Sequence, residues 1–254
     1  MKRMGIGLQM YTLRAETATD FTGTLHKVAA LGYEGVEFAG YGGLSPEQLK
    51  SLLEELQLKS IGSHVSIHDL KEKLDEIVEM NVAIGSSYVV CPFLNEEQRS
   101  EGALPDTVSV FTKASHELGK HGIRFGYHNH AFELTETIGG ERLFDRLFAL
   151  MEPEECVVEM DVCWVHHGGQ DPLEYIRKYA GRVPLIHLKD MRTLEDGQAQ
   201  TVELGQGEID LQAVISTAGE AGAEWLIVEQ DHCQNPPLQS VETSIRWLQA
   251  NYIN

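Results

Sequence analysis

The chain has 254 residues, 42% of them hydrophobic and 23% charged, a globular profile rather than a disordered one. Its formal net charge of −19, with Lys and Arg scattered along the chain, argues against a nucleic-acid partner, because phosphate backbones are repelled. The four cysteines (Cys91, Cys156, Cys163 and Cys233) form no CxxC pair, which argues against a disulfide scaffold and for a reducing compartment.

The N-terminal segment opens with Lys2 and Arg3, and its apolar stretch is broken by Gly and Gln, too short for a secretory core. No apolar run reaches the roughly 18 residues that a membrane span requires, so a cytoplasmic location is expected.

The first strand is predicted over residues 4–10, followed by a helix over 20–31 with Asp20 as N-cap and Gly32 as its stop. A strand over 35–38 precedes a helix over 45–56, where Ser45-Pro46-Glu47-Gln48 combines an N-cap serine, proline at N1 and glutamine at N3. Strand 59–64, helix 69–84, strand 88–91, helix 104–121 and strand 124–128 follow, and then helix 141–150 and strand 157–161. Asp171 and Pro172 start a helix over 172–180, ahead of strand 183–188, helix 210–221, strand 225–229 and a closing helix over 239–248.

These are eight β-then-α units in one domain over residues 1–254, close to the ~250 residues typical of a (β/α)₈ TIM barrel. No GxGxxG follows the first strand, which lowers a dinucleotide-binding fold. The stretch 191–207 reads as an irregular loop over the barrel mouth.

In such a barrel the carboxyl ends of the strands meet at one mouth. His128, Asp161, His187 and Glu229 end four successive apolar runs and together supply two imidazoles and two carboxylates for a divalent metal. Taken singly, each has a plain alternative: a core histidine for His128, a helix cap for Asp161, an interior hydrogen-bonding partner for His187, and a lysine partner for Glu229. Gln9 and Tyr11 at strand one, Glu37 at strand two and His64 at strand three add polar groups to the same mouth. Lys189, two after His187, shares its face and suits an oxyanion, or forms a salt bridge to Glu229 or Asp190. His130 shares the face of His128 as ligand or substrate contact, whereas Asn129 points away and Glu133 lies further into the loop. His166 and His167 read as a surface-loop pair, and Gly168-Gly169 as a turn.

Across nearly the whole chain the motifs Gly7-Leu8-Gln9-Met10-Tyr11-Thr12-Leu13-Arg14, Leu31-Gly32-Tyr33-Glu34-Gly35-Val36-Glu37, Tyr127-His128-Asn129-His130-Ala131-Phe132-Glu133, Met160-Asp161-Val162-Cys163-Trp164, His187-Leu188-Lys189-Asp190, Leu204-Gly205-Gln206-Gly207-Glu208-Ile209-Asp210 and Val228-Glu229 resemble the sugar phosphate isomerase/epimerase family of the xylose-isomerase-like barrel superfamily. The resemblance implies one divalent metal on Glu, Asp, His and Glu at the ends of strands five to eight. Asp161, His187 and Glu229 match the last three positions, while His128 stands where ketose epimerases carry a glutamate that is one of their two acid/base groups. Trp164 stands where inosose dehydratases and the endonuclease IV group have the histidine of Asp-x-x-His, which removes part of the three-metal site that DNA repair needs.

The expected activity is isomerisation or epimerisation of a small sugar, keto-sugar or polyol by metal-assisted proton abstraction alpha to a carbonyl. Glu229 and His128 or His130 would act as acid/base groups, and Lys189 would stabilise the enediolate. Gln9, Tyr11, Glu37, His64, His130, Trp164 and Lys189 are the expected substrate contacts. The alternative is a dehydratase or lyase of inosose or keto-glycoside type, and the minor one a non-catalytic sugar-binding barrel. Imidazole ligands favour Mn²⁺, then Co²⁺, Zn²⁺ or Fe²⁺, over Mg²⁺. No phosphate cradle is evident, and dimerisation is an expectation by analogy.

Overall fold

A computed structural model describes residues 3–253. Eight parallel strands close into a barrel: β1 (Gly5–Gln9), β2 (Gly35–Phe38), β3 (Lys59–His64), β4 (Tyr88–Cys91), β5 (Arg124–His128), β6 (Val157–Asp161), β7 (Leu185–Leu188) and β8 (Trp225–Val228). Each pairs with its sequence neighbours, and β1 closes on β8. This is a single (β/α)₈ TIM barrel.

Strand alternation divides the core. Outward residues such as Ile6, Leu8, Phe125, Tyr127, Val158, Met160, Ile186 and Leu188 pack with the surrounding helices. Inward residues Ile61, Tyr88, Val90, Val157, Leu185 and Ile227 form a separate apolar cluster that plugs the lower barrel. Gly7 belongs to this layer for a steric reason: a Cβ there would stand 2.2 Å from Ile61 Cδ1.

The inward positions change from apolar to polar toward the carboxyl end. In β6 the series runs Val157, Glu159, Asp161; in β7 it runs Leu185, His187, then Lys189 beyond the strand. The register sets Asp161 beside His187, His128 beside Glu159, and Gln9 beside Glu37. Ile61 and His64 both face inward although three residues apart, which strict alternation forbids. A register shift opposite Val36 and Glu37 in the β2–β3 pairing inserts the extra residue and turns His64 into the barrel.

Several element boundaries differ from the sequence reading. The first strand ends at Gln9 because its side chain accepts a hydrogen bond from the Tyr11 amide and caps a 3₁₀ turn, Met10–Leu13. The helix predicted over 69–84 is two, Ile67–Glu72 and Leu74–Ala83, broken at Lys73 (φ −133°, ψ 27°). That predicted over 141–150 begins at Leu143, because Thr137–Ile138 and Glu141–Arg142 pair as a short ribbon around Gly139-Gly140. The stretch 191–207 is not irregular: Asp190–Thr193 and Ala199–Val202 form an antiparallel hairpin. The Asp190 carboxylate anchors the chain beyond it, accepting hydrogen bonds from the amides of Gly205, Gly207 and Ile209. His166 and His167 end a helix, Val162–His167, rather than lying in a loop. The Ser45 capping box and the Asp171-Pro172 start are present as read. No helix among the described residues is long and apolar enough to cross a membrane.

Candidate active site

The polar ends of the strands converge on a cavity of about 480 Å³ at the barrel mouth, lined by Tyr11, Ala39, His64, Pro92, Phe93, His128, His130, Glu229 and Asp231. A wider depression of about 570 Å³ lies at the opposite end, around Leu58, Lys59, Ser60 and Trp225. It contains none of the convergent ligating groups found among the described residues.

His128, Asp161, His187 and Glu229 each offer one donor atom, and the four atoms lie within 4.8 Å of one another. All four residues are buried. The set fits a divalent transition ion: two nitrogen and two oxygen donors, brought together by strand ends rather than by mobile loops.

A second group lies beneath the first. Glu159, two residues before Asp161 and on the same face, joins His64, His128 and His187 in another convergent set. Its Oε2 lies 2.6 Å from His64 Nε2 and 3.1 Å from His128 Nδ1. Glu37 Oε2 lies 2.7 Å from His187 Nε2 and accepts a 2.7 Å hydrogen bond from Gln9 Nε2. Each shared imidazole thus turns one nitrogen to a lower carboxylate and the other to the upper set. His128 Nε2 is 3.8 Å from Asp161 Oδ2, and His187 Nδ1 is 2.9 Å from Glu229 Oε2. Carboxylates on the far nitrogen of a metal-binding histidine fix its ring and its tautomer. Glu37 and Glu159 stand in that relation to His187 and His128. One oxygen of each, Glu37 Oε1 and Glu159 Oε1, has no hydrogen-bond partner among the described residues.

Lys189 is the cation nearest the upper carboxylates. Its Nζ lies 2.8 Å from Asp161 Oδ2 and 2.7 Å from Glu229 Oε2, and donates a hydrogen bond to Asp231 Oδ2 at 3.0 Å. The salt bridge to Glu229, the plain alternative to an oxyanion role for Lys189, is present. Asp190 is committed to the loop amides instead.

Burial and neighbours set the charges. Burial raises the Glu229 carboxyl, but Lys189 and His187 outweigh it and hold the group below its usual range. Burial also pushes Lys189 down, and Asp161, Glu229 and Asp231 more than reverse it. Asp161 is pushed up to about 6 by burial, against Lys189 and His187. His128 is driven well down by burial and by the histidines around it, and His130 to about 4 by burial and Lys189. His64, against its own burial, is lifted to about 10 by Glu37 and Glu159.

The expected contact residues divide by depth. Tyr11, His64 and His130 line the cavity. Trp164 stands beside it, its ring centroid 6.0 Å from that of His130 and 5.6 Å from Lys189 Nζ. Gln9 and Glu37 were read as substrate contacts, but both are fully buried below the cavity and bound to each other, as supports for the layer above. Asn129 points away from the mouth, as alternation requires. Its side chain holds the Asp161 main chain, accepting from the amide at 2.9 Å and donating to the carbonyl at 3.3 Å. Asp161 is also a helix cap, with Oδ1 accepting from the Trp164 amide.

Three site residues escaped the sequence reading. Glu159 and Asp231 could have been found, since each lies two residues from a candidate ligand, Asp161 or Glu229, on the same face. Phe93 carried no signal beyond following the fourth strand.

Glu133, set aside as a loop residue, is buried and accepts from Tyr127 Oη at 2.5 Å and the His130 amide at 2.8 Å. Burial pushes its carboxyl up to about 8. A folded-state value above the unfolded one means that the group's stabilising contribution is complete below the ordinary carboxyl range and is lost as pH rises toward 8. Urea midpoints for wild type are therefore expected to fall between pH 5 and pH 8 more than those of Glu133→Gln. Parallel pH profiles would refute the assignment.

Residues 25–251 match the family model described as a xylose isomerase-like TIM barrel. The inosose dehydratase of Geobacillus kaustophilus (strain HTA426) is 29% identical over 195 residues, a match spanning 66% of this chain and 61% of that protein. Among solved structures, a sugar phosphate isomerase/epimerase from Parabacteroides distasonis ATCC 8503 superposes with a TM-score of 0.79 at 26% identity, covering 97% of this chain and 98% of that one. The IolI protein, solved with a binding zinc atom, superposes with a TM-score of 0.79 at 16% identity over 97% of both chains, a likeness of fold.

Proposed function

Because the chain belongs to the xylose isomerase-like TIM barrel family, we propose that it is a metal-dependent isomerase or epimerase of a small sugar, keto-sugar or polyol, acting by proton abstraction alpha to a carbonyl. His128, Asp161, His187 and Glu229 would hold one divalent ion, Mn²⁺ first among the candidates. Such an ion supplies polarisation of the substrate carbonyl and its neighbouring hydroxyl. The observation that carries the reading is the convergence of these four donors on one ligand-sized cavity.

The chain's own groups complete the chemistry. Glu229, held ionised at the cavity edge, is the base for the carbon-bound proton. The Lys189 ammonium, on the same face, stabilises the oxygen that gains charge as the proton leaves. His64, His128 and His130 form an imidazole wall, and His130, whose Nδ1 has no hydrogen-bond partner among the described residues, is the one of them through which a proton can be exchanged. Trp164 and His130 shield the Lys189 side from water.

A dehydratase or lyase is the second reading, and a specific observation favours it. The carboxylates that reach the cavity, Glu229 and Asp231, are two residues apart at one strand end, and the remaining polar lining is imidazole and the Tyr11 phenol. One carboxylate base serves isomerisation or elimination, whereas epimerisation needs proton donors on both faces of the carbon. Expulsion of a hydroxyl or alkoxy group beta to the carbonyl fits this one-sided arrangement, and a relative is named an inosose dehydratase. We place the protein in the cytoplasm, in keeping with its free cysteines, acting as one domain on a small molecule and not on nucleic acid or membrane.

Elemental analysis of untreated protein, beside Asp161→Asn with His187→Ala, tests the metal. About one equivalent of a transition ion is expected in wild type and none in the double variant, with circular dichroism unchanged. A wild type that holds no metal and takes up none on addition of Mn²⁺, Co²⁺ or Zn²⁺ would overturn the reading.

A further inference from the structure

Among the described residues, Tyr11 and Phe93 are the only exposed Phe, Tyr or Trp side chains, at 44% and 48%, and both line the same cavity. They follow different strands: Tyr11 lies just beyond β1, and Phe93 just beyond β4. Two strands of the barrel separate these positions, so the rings flank the mouth.

Neither ring is a loose surface residue. The Arg14 guanidinium carbon lies 4.3 Å from the Tyr11 ring centroid. Arg14 is itself fixed, donating from Nη1 to the Tyr11 carbonyl and from Nη2 to the Asp231 carbonyl. Phe93 meets His130 and Phe132 edge to face, each at 5.5 Å. Phe132 is in turn covered by the Arg99 guanidinium at 4.2 Å, and Arg99 is held by two hydrogen bonds to Glu136. Two rings are thus kept wet and held in place. Neither is needed by the core, and leaving them exposed costs hydrophobic burial.

Depth separates these rings from the reactive groups. His128 and Glu229 on the floor are 2% and 6% exposed. A ring that engages the floor leaves the aromatic rim free for something attached to it. The cavity, about 480 Å³, lies within the range of about 300–1,000 Å³ that takes ligands larger than one small polyol. No lysine or arginine lines the cavity, the Arg14 guanidinium being packed on the Tyr11 ring and tied to two carbonyls, and the carboxylates of Glu229 and Asp231 oppose an anionic outer group.

We propose that Tyr11 and Phe93 form an outer subsite that stacks on the second ring of a glycoside, so that the substrate is a glycoside or keto-glycoside rather than a free monosaccharide. The proposal rests on the sugar reading above and specifies its substrate class. The inner ring sits on the floor among the imidazoles and Glu229. The outer unit, a sugar or aryl aglycone, lays its apolar face against the rim. When the inner ring carries the carbonyl and its alpha proton is removed, the electron pair left on that carbon forms the new C=C bond. The bond to the glycosidic oxygen at the beta carbon breaks, and that oxygen leaves with a proton. Atoms and electrons balance without an oxidant.

Calorimetric titration with D-glucose, methyl glucoside, cellobiose, maltose and phenyl glucoside tests it on wild type, Phe93→Trp, and Tyr11→Ala with Phe93→Ala. The two-ring glycosides are expected to bind about tenfold tighter than glucose or methyl glucoside in wild type and Phe93→Trp. The double alanine variant, with unchanged thermal stability, is expected to erase that preference, its two-ring and one-ring affinities falling within about twofold of each other. A stronger phenyl glucoside signal would assign the outer unit as aryl, and a stronger disaccharide signal as sugar; either supports the subsite. Equal binding of one-ring and two-ring probes, or a preference that survives the double variant, would overturn the subsite and leave the sugar reading intact. Failure of every probe to bind wild type would overturn both.

Discussion

Lys189→Met is expected to lower the melting temperature of metal-stripped protein by about 6–20 °C, the equivalent of about 3–5 kcal/mol in a domain of this size. The reasoning starts from burial. Asp161 is 0% and Glu229 6% exposed, and the ammonium lies within 2.8 Å of both. A methionine fills nearly the same volume but leaves two carboxylates in a low-dielectric interior without a cation. Removing one partner of a buried pair is the costly case, because the remaining charge can neither ionise comfortably nor reach water. His187 offsets part of the loss, which is why the range stops short of unfolding.

The same substitution separates structural from catalytic roles for the lysine. If Asp161 and Glu229 also hold a divalent ion, added Mn²⁺ restores most of the lost stability in Lys189→Met, because binding to the folded form alone adds stability by mass action. Wild type gains less, since a cation already sits between its carboxylates. Melting curves in a chelator and in excess Mn²⁺ give both numbers. An unchanged melting temperature in the chelator would mean that Asp161 and Glu229 tolerate burial without the ammonium, and the charge layout described here would be wrong.

The fold was legible because its signals are local and repeated. Capping at Asp20, Ser45 and Asp171 and the apolar strand runs each constrain a few residues, and eight consistent units leave little but a barrel. The convergence of His128, Asp161, His187 and Glu229 was legible for the same reason, since strand ends meet by topology. The deeper layer was legible only in part. Glu37 and His64 were named at the mouth, and the spacing of Glu159 from Asp161 offered the same reading, but its pairing with His128 appears only in the register of the neighbouring strand. His64 faces inward only through the irregularity between β2 and β3, a tertiary effect with no mark in residues 59–64. The hairpin in 190–202 was missed because its strands alternate weakly, and its order comes from Asp190 binding three distant amides. Glu133 shows the reverse error: a charged residue after a strand looks like loop, and the Tyr127 hydroxyl and His130 amide draw it into the core.

Glu229→Gln is expected to cut turnover by about 10²–10⁴, the contribution of a positioned general base, while the protein stays folded. An amide oxygen can still accept from Lys189 Nζ, which lies 2.7 Å from Glu229 Oε2, so the side chain keeps its place. What disappears is a basic oxygen at the cavity edge. The informative measurement is exchange of the substrate carbon-bound proton with deuterium oxide, followed by NMR on an inosose and on keto-glucosides. Wild type should exchange the proton alpha to the carbonyl, and Glu229→Gln should not. Lys189→Arg, which preserves positive charge but not its placement, should slow exchange less than Glu229→Gln. Loss of product without loss of exchange in Glu229→Gln would move the base to another group, with Asp231 next in reach through the same cavity wall. If exchange persists in wild type and no isomer appears while an unsaturated ketone accumulates, the first step is as proposed and the outcome is elimination. That result would favour the dehydratase or lyase branch, because Glu229 and Asp231 leave one strand end together and can remove a proton from one face, with no carboxylate across the cavity to return it to the other.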